Sequence, residues 1–225
     1  MAAYQLEIVR SAKRKKTISI RVTASKVIVQ APKDCSNQRI KELLTTKSAW
    51  IDQQLILAKK AESNYLPDVI KYGISLPFLG ETITLKENNQ SLAFTLIGTD
   101  LLIPQHYLNQ ESLYNWYYQQ AKKIIPTRVA KIASTHGFLY NNIQVKDQKK
   151  RWGSCSNKKN LNFCWRLILA PIEVLDYVII HELCHLSEMN HSKQFWSLVV
   201  KYCPRYKDCR EYLNVNSIKL QSFLR

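Results

Sequence analysis

The sequence predicts an α+β protein with a β-rich N-terminal portion containing one long helix, and a helical C-terminal portion containing a small sheet. Three observations indicate this class. Apolar residues near the N-terminus alternate with polar ones, as they do in half-buried strands. Residues 37–62, 110–136 and 172–188 have apolar positions at helical spacing. Strand-like runs around 142–147 and 160–168 supply the small sheet.

The N-terminal strands are predicted from a period of two. Ile18, Ile20 and Val22 alternate with polar residues, and Val27 and Val29 continue the same period after a short break. Together with the alternating first residues they predict a three-stranded meander that ends near residue 32.

The long N-terminal helix is predicted over residues 37–62, directly after Ser36. Serine is a preferred helix N-cap because its hydroxyl accepts a hydrogen bond from a free backbone N–H. A second β segment follows between residues 73 and 105, with turn signals at Gly80, at 87–90 and at 98–100. We expect two hairpins there.

The C-terminal helices have recognisable boundaries. Pro126 is expected to kink or restart the helix predicted over 110–136, and Gly137 is expected to end it. Pro171 suits the first turn of the helix predicted from 172 to about 188. We divide the chain into a β-rich region, 1–108, and a second domain, 109–225, with one continuous domain as the alternative.

Composition limits the protein classes. The chain has 225 residues, of which 46% are hydrophobic and 22% charged, which favours a folded globular protein over a disordered one. It shows neither a signal peptide nor a run of apolar residues that could span a membrane. Its six cysteines contain no CxxC pair. We therefore expect reduced thiols, a cytoplasmic location and no membrane partner; the sequence predicts no oligomeric state.

The formal net charge of +16 is concentrated in two blocks, residues 1–60 and 111–170. Two interpretations stay open: a solvated surface that keeps the protein soluble, or a surface for phosphate-bearing partners such as nucleic acid. Under the second interpretation the relevant residues are two basic runs. They are Arg10 with Lys13, Arg14, Lys15 and Lys16, and Lys146 with Lys149, Lys150 and Arg151.

The chemistry is predicted by the motif His181-Glu182-Leu183-Cys184-His185 on the helix that starts at 172. Residues four apart share one helix face, so both imidazoles can bind one metal ion. Glu182 is turned about 100° from His181 and is suited to act as a general base on a metal-activated water. The alternative is that the histidines are ordinary core residues.

The third metal ligand has two candidates. His191 follows His185 by six residues and precedes Ser192, which can cap the next helix. Glu188 follows His181 by seven residues and would lie on the same helical face. We favour His191. Three nitrogen ligands with one open position are typical of catalytic Zn²⁺, with other divalent metals as alternatives.

Further segments give a family resemblance. The runs RWGSCS (151–156), LNFCWRLILAP (161–171) and LDYVIIHELCHLSEMNHSKQFW (175–196), together with the earlier elements, resemble the YgjP-like metal-dependent hydrolases, relatives of the WLM and SprT-like zinc metallopeptidases. The resemblance spans nearly the whole chain and implies a zincin-like metallopeptidase core in the C-terminal domain. It implies one zinc ion on His181, His185 and His191, with Glu182 as general base and acid.

The resemblance also implies that Arg151, Trp152, Gly153, Ser154 and Asn162 frame the substrate cleft. A structural role for this segment, as a sheet turn with Trp152 in the core, is the alternative. Glu188 stands where metzincins have a glycine (HExxHxxGxxH), so the resemblance does not extend to the metzincin turn.

Other residues near the motif have alternative roles. Arg151 or Tyr177 are the candidate donors for stabilising an oxyanion. We expect Cys184 to be a buried thiol, and Phe195 and Trp196 to be core contacts of the helix that follows the motif.

Three functions are consistent with these residues. The first is a zinc metallopeptidase that cleaves peptides or proteins, with Glu182 moving the proton. The second is a nucleoside triphosphate (UTP) pyrophosphatase, which the family resemblance suggests and in which Arg151 with Lys149 or Lys150 would hold phosphates. The third is a nucleic-acid-binding module with a structural zinc, which requires a fourth ligand such as Cys155 or Cys164. We favour the first.

Overall fold

The computed structural model describes residues 4–12, 14–23, 25–63, 69–88 and 93–224, and it confirms the α+β class. The chain divides into two compact units, residues 1–65 and 66–225. This division differs from the predicted ranges, 1–108 and 109–225. The second β segment, with Leu76, Ile83 and Leu101, belongs to the same apolar core as the C-terminal helices, which is why it is part of the second unit.

The first unit begins with strands β1 (Gln5–Ser11), β2 (Ser19–Val22) and β3 (Lys26–Pro32). The three strands agree with the prediction, but the meander is wrong, because β3 lies between the other two. β1 pairs parallel to β3 and β2 pairs antiparallel to it. Val27, Val29 and Ala31 of β3 are fully buried, so the strand with the most buried face occupies the centre of the sheet.

Two helices, α1 (Asn37–Thr46) and α2 (Ser48–Ser63), replace the single helix predicted over 37–62. Ser36 caps α1, as its position predicts, by accepting a hydrogen bond from the Arg39 backbone N–H at 3.3 Å. The two helices are separated at Lys47, the C-cap of α1. The break lets Ile40 pack with β3 residues in one small cluster, while Ile51 and Leu55 pack in another.

The second unit begins with β4 (Ser75–Phe78), β5 (Glu81–Glu87), β6 (Thr95–Ile97) and β7 (Asp100–Ile103). The two predicted hairpins are confirmed, since β4 pairs antiparallel to β5 and β6 to β7, and a parallel β5–β7 pairing joins them. Leu79 and Gly80 form the first turn, both with positive φ. The predicted turn at 87–90 lies partly outside the described residues.

Helix α3 (Gln110–His136) forms one wall of the core. Asn109 caps its start, and Gly137 ends it in the left-handed conformation with φ 72°, as predicted. The helix does not restart at Pro126. Ile125 and Val129 are fully buried on either side of the proline, so packing holds the helix together there.

A second sheet contains β8 (Asn142–Lys146), β9 (Gly153–Cys155) and β10 (Asn160–Cys164). β10 is central, parallel to β8 and antiparallel to β9. The strand predicted over 160–168 is wrong beyond Cys164, because Trp165–Leu169 form a 3₁₀ helix. All five of these side chains are buried, and a compact turn buries them better than a strand whose alternate side chains point to opposite faces.

Three helices complete the second unit: α4 (Ile172–Cys184), α5 (Lys193–Tyr202) and α6 (Tyr206–Ser222). α4 ends four residues before the predicted limit of 188. Leu175, Ile179 and Leu183 are fully buried along its core-facing side. All six cysteines are free thiols, as expected. Every helix among the described residues is too short or too polar to span a bilayer.

Candidate metal centre

Helix α4 carries the first two histidines, and their side chains lie close together. Its buried side anchors the helix in the core, and His181 and His185 project one turn apart near its C-terminal end. Their ring centroids are 5.0 Å apart. Burial of the apolar side thus determines the direction in which the two imidazoles point.

The turn after α4 brings in the third histidine. The backbone N–H groups of Leu186 and Glu188 donate to the carbonyls of Leu183 and Cys184, which closes the end of the helix. Ser192 then caps α5 by accepting from the Phe195 N–H at 3.2 Å. These two constraints turn the chain back, so that His191 Nε2 lies 3.0 Å from His181 Nε2.

The three imidazoles form a group that fits a metal ion. One nitrogen from each of His181, His185 and His191 lies within 4.8 Å of the others, and no other such group of His, Cys, Asp or Glu occurs in the residues that the structure describes. Nitrogen ligands about 2.0–2.1 Å from a tetrahedral Zn²⁺ are roughly 3.3 Å apart. The 3.0 Å separation of His181 and His191 is close to that value.

Glu188 contributes a backbone atom to this site. Because α4 ends at Cys184, the Glu188 side chain is not on a continuation of that helix, and it is not in the group that can hold a metal. Its carbonyl oxygen lies 3.0 Å from His185 Nδ1. A proton on Nδ1 donated to this carbonyl leaves Nε2 as the electron-pair donor, the arrangement common for metal-binding histidines.

The protonation of the histidines also favours metal binding. Burial lowers the pKa of His181 to about 3, and the neighbouring His185, His191 and Arg210 lower it as well. Burial also lowers the pKa of His185. Both rings are therefore neutral at pH 7, which is the form that binds metals.

Aromatic rings surround the histidines. Phe195, with no exposed surface, stacks on His185 at 4.4 Å between centroids, and Trp196 stacks on His191 at 5.7 Å. Phe195 is a core residue, as predicted. Its contact with all three imidazoles was not predicted, because His191 precedes the N-cap of α5 and the helical spacing rule does not apply between the two residues. The buried His181 Nδ1 has no hydrogen-bond partner among the described residues, so ring packing orients this imidazole.

Glu182 lies directly against Gly153 of β9. A Cβ atom added to Gly153 would be 2.6 Å from Glu182 Oε1 and 2.7 Å from its Cγ. Real Cβ atoms essentially never approach so closely, so a side chain at position 153 would displace the Glu182 carboxyl. Glu182 is 5% exposed, and burial raises its pKa to about 8, against the lowering effect of the Arg151 charge.

The remaining residues of the RWGSC segment lie around Glu182. Arg151 is exposed and close enough for its charge to act on Glu182. Trp152 is partly buried against the core, and its carbonyl accepts the Cys164 N–H at 2.7 Å. Ser154 accepts a hydrogen bond at 3.4 Å from the Asn162 amide, its partner across β9 and β10. Their roles in substrate binding remain predictions.

Tyr177 and three cysteines are also near the site. Tyr177 is almost fully buried, with its ring centroid 6.0 Å from that of His181, and burial raises its pKa to about 12. Cys184 is fully buried, as expected, and burial raises its pKa to about 12. The candidate fourth ligands, Cys155 and Cys164, are not in the histidine group.

Comparison with known proteins gives the family. The model of the YgjP-like metallopeptidase domain matches residues 16–216. The chain belongs to the YgjP-like family. This assignment bears out the resemblance found in the RWGSCS and HELCH segments, and it covers both compact units of the YgjP-like chain.

Solved structures similar to this YgjP-like chain include two metallopeptidase zymogens. Pyrococcus abyssi abylysin is 21% identical, with a TM-score of 0.37, over 40% of this chain and 91% of abylysin. Methanocaldococcus jannaschii jannalysin is 26% identical, with a TM-score of 0.36, over 41% of this chain and 94% of jannalysin. A search of curated proteins gives no match.

Proposed function

We propose that this YgjP-like protein is a zinc-dependent metallopeptidase that hydrolyses peptide bonds. The observation that carries the proposal is the convergence of three imidazoles beside the buried carboxyl of Glu182. This carboxyl lies on α4, next to the first two histidines, and packs against Gly153. The match to a metallopeptidase domain supports the same reaction class.

In this proposal His181, His185 and His191 hold the metal. A divalent metal bound there supplies a Lewis acid that polarises the substrate carbonyl and makes water more acidic. Glu182 accepts a proton from the attacking water and donates it to the nitrogen of the leaving amine. Burial raises the pKa of Glu182, which favours uptake of the proton from water.

Arg151 is the better supported of the two candidate oxyanion donors. Its side chain is exposed and its charge reaches the Glu182 carboxyl, whereas Tyr177 is almost fully buried in the core. Ser154 and Asn162 are partly exposed and hydrogen-bonded to each other, and we assign them to the substrate-binding edge of the cleft. Trp152 and Gly153 complete that edge.

Removal of the metal tests the proposal. We expect a protein loaded with one zinc per chain to release fragments from an unfolded protein substrate, to lose this activity on treatment with a chelator, and to recover it when one equivalent of zinc is restored. UTP is tested as a substrate in a parallel assay that measures pyrophosphate release. Zinc-dependent turnover of UTP without protein fragments would replace the peptidase proposal by the pyrophosphatase. Tightly held zinc with neither activity would favour a structural metal.

Two variants test the third ligand. His191→Ala is expected to weaken zinc binding more than about 100-fold, since even residues that only orient a ligand are worth about 10–100-fold. Glu188→Ala is the matched control, because it keeps the backbone carbonyl that faces His185 and should leave zinc affinity nearly unchanged. Competition with a chromophoric chelator measures both. The opposite order of effects would make Glu188 the ligand.

A further inference from the structure

We propose that a basic cluster beside the candidate metal centre selects polypeptide substrates with acidic side chains next to the scissile bond. The basic cluster comprises Lys146, Lys149, Lys150 and Arg151, all exposed. The inference rests on the proposed peptidase function and specifies its substrate class.

The sheet places the basic cluster at the site. Val145 of β8, Phe163 of β10 and Gly153 of β9 form one row across the three strands. Neighbouring strands are about 4.8 Å apart, so the end of β8 is about 10 Å from the start of β9. The basic cluster occupies the end of β8 and the connection between these two strands. Gly153, which follows that connection, contacts Glu182.

The cations of the basic cluster form no ion pair with another described residue, although the Arg151 charge reaches Glu182. The only carboxylate in the connection, Asp147, is paired with Arg166. The charges of Lys146, Lys149 and Lys150 are therefore available to attract negative charge on a substrate, and Arg151 adds to the positive potential beside the site.

The connection is also held in place. Arg166 has no exposed surface, donates to the Phe223 carbonyl at 3.1 Å and lies over the Trp165 ring at 4.4 Å. Its ion pair with Asp147 fastens the middle of the basic cluster to the core. Cations on an anchored segment present a defined charge to a substrate.

The extent of the basic cluster favours a short acidic segment over nucleic acid. Tight binding of a nucleic-acid backbone uses many phosphate contacts spread along its length. The next two lysines in sequence, Lys158 and Lys159, lie at the opposite end of the sheet, where the Lys159 carbonyl accepts the Asn141 N–H at 2.9 Å. Arg210 of α6 is also close enough for its charge to lower the pKa of His181. The basic cluster itself is confined to one short segment.

Two quenched fluorescent peptides test the inference on the full zinc-loaded protein. Both contain a bond that the protein cleaves in an unfolded substrate, flanked by two glutamates in one peptide and by two lysines in the other. We expect kcat/KM for the glutamate peptide to be about tenfold higher or more, as for electrostatically guided encounters. The difference should lie mainly in KM and should shrink in added NaCl, because salt screens the charges.

Two charge-reversal variants locate the effect. Lys149→Glu with Lys150→Glu should abolish the preference, whereas Lys158→Glu with Lys159→Glu, the same charge change at the other end of the sheet, should preserve it. Thermal unfolding and zinc content verify that both variants are folded and loaded. Equal cleavage of the two peptides by the unmodified protein would overturn the inference, and so would equal losses in the two variants.

Two further outcomes are distinguishable. If unfolded protein and both peptides resist the zinc-loaded enzyme, the peptidase function fails and this inference fails with it. Binding of a fluorescein-labelled single-stranded 20-mer oligonucleotide is measured by anisotropy with the same variants. Loss of that binding in Lys149→Glu with Lys150→Glu, with the peptide preference unchanged, would assign the basic cluster to nucleic acid instead.

Discussion

Replacement of Glu182 by glutamine is expected to lower kcat/KM about 10²–10⁴-fold while zinc stays bound. This range is the usual contribution of a positioned general acid–base group. The amide has nearly the shape of the carboxyl and makes the same approach to Gly153, but it cannot accept the proton from water. Fragment release from an unfolded protein, with zinc content measured on the same samples, gives the result.

The stability of this variant provides the control. Burial raises the pKa of Glu182 to about 8, so the folded protein disfavours the ionised carboxyl relative to the unfolded chain. At pH 8 a neutral amide removes that cost, and the metal-free Glu182→Gln variant should unfold at a temperature no lower than that of the metal-free unmodified protein. Full peptidase activity in a folded, zinc-loaded Glu182→Gln variant would exclude Glu182 as the base.

Gly153→Ala is expected to lower kcat/KM about 100-fold, although the proposal assigns residue 153 neither metal binding nor proton transfer. The added Cβ would lie 2.6 Å from Glu182 Oε1, so the carboxyl must move by about an ångström. Displacements of that size typically cost about 10²-fold in rate. We expect the loss mainly in kcat, with zinc affinity unchanged, because the three atoms nearest to the added Cβ all belong to Glu182.

A double variant separates this positioning effect from a general defect. If Gly153→Ala acts through Glu182, it should add little to the loss in a Glu182→Gln background, because both changes remove the same function. Multiplicative losses would show that Gly153→Ala damages the site by another route. A large fall in the unfolding temperature would likewise show that the sheet, not the carboxyl position, is affected.

Local signals predicted many elements of the fold correctly. Ser36 caps a helix, Gly137 ends one, and the turns at Gly80 and Gly98 close hairpins, because each depends on conformational preferences of one or two residues. The predictions that failed depend on distant contacts. The break at Lys47 reflects two separate clusters under α1 and α2, and the place of β3 in its sheet reflects which strand has the most buried face.

The candidate site likewise combines features set by local sequence with features set by distant contacts. The sequence by itself determined that His181, Glu182 and His185 lie on one helix end, because a spacing of four residues is one turn of any α-helix. Only the tertiary structure decided that α4 ends at Cys184, which removes Glu188 from the helical face and lets the turn return His191 to His181. Only the packing of β9 on α4 explains why a small residue at position 153 matters for Glu182. The two residues are 29 positions apart in the sequence, and a Cβ atom at position 153 would overlap the Glu182 side chain.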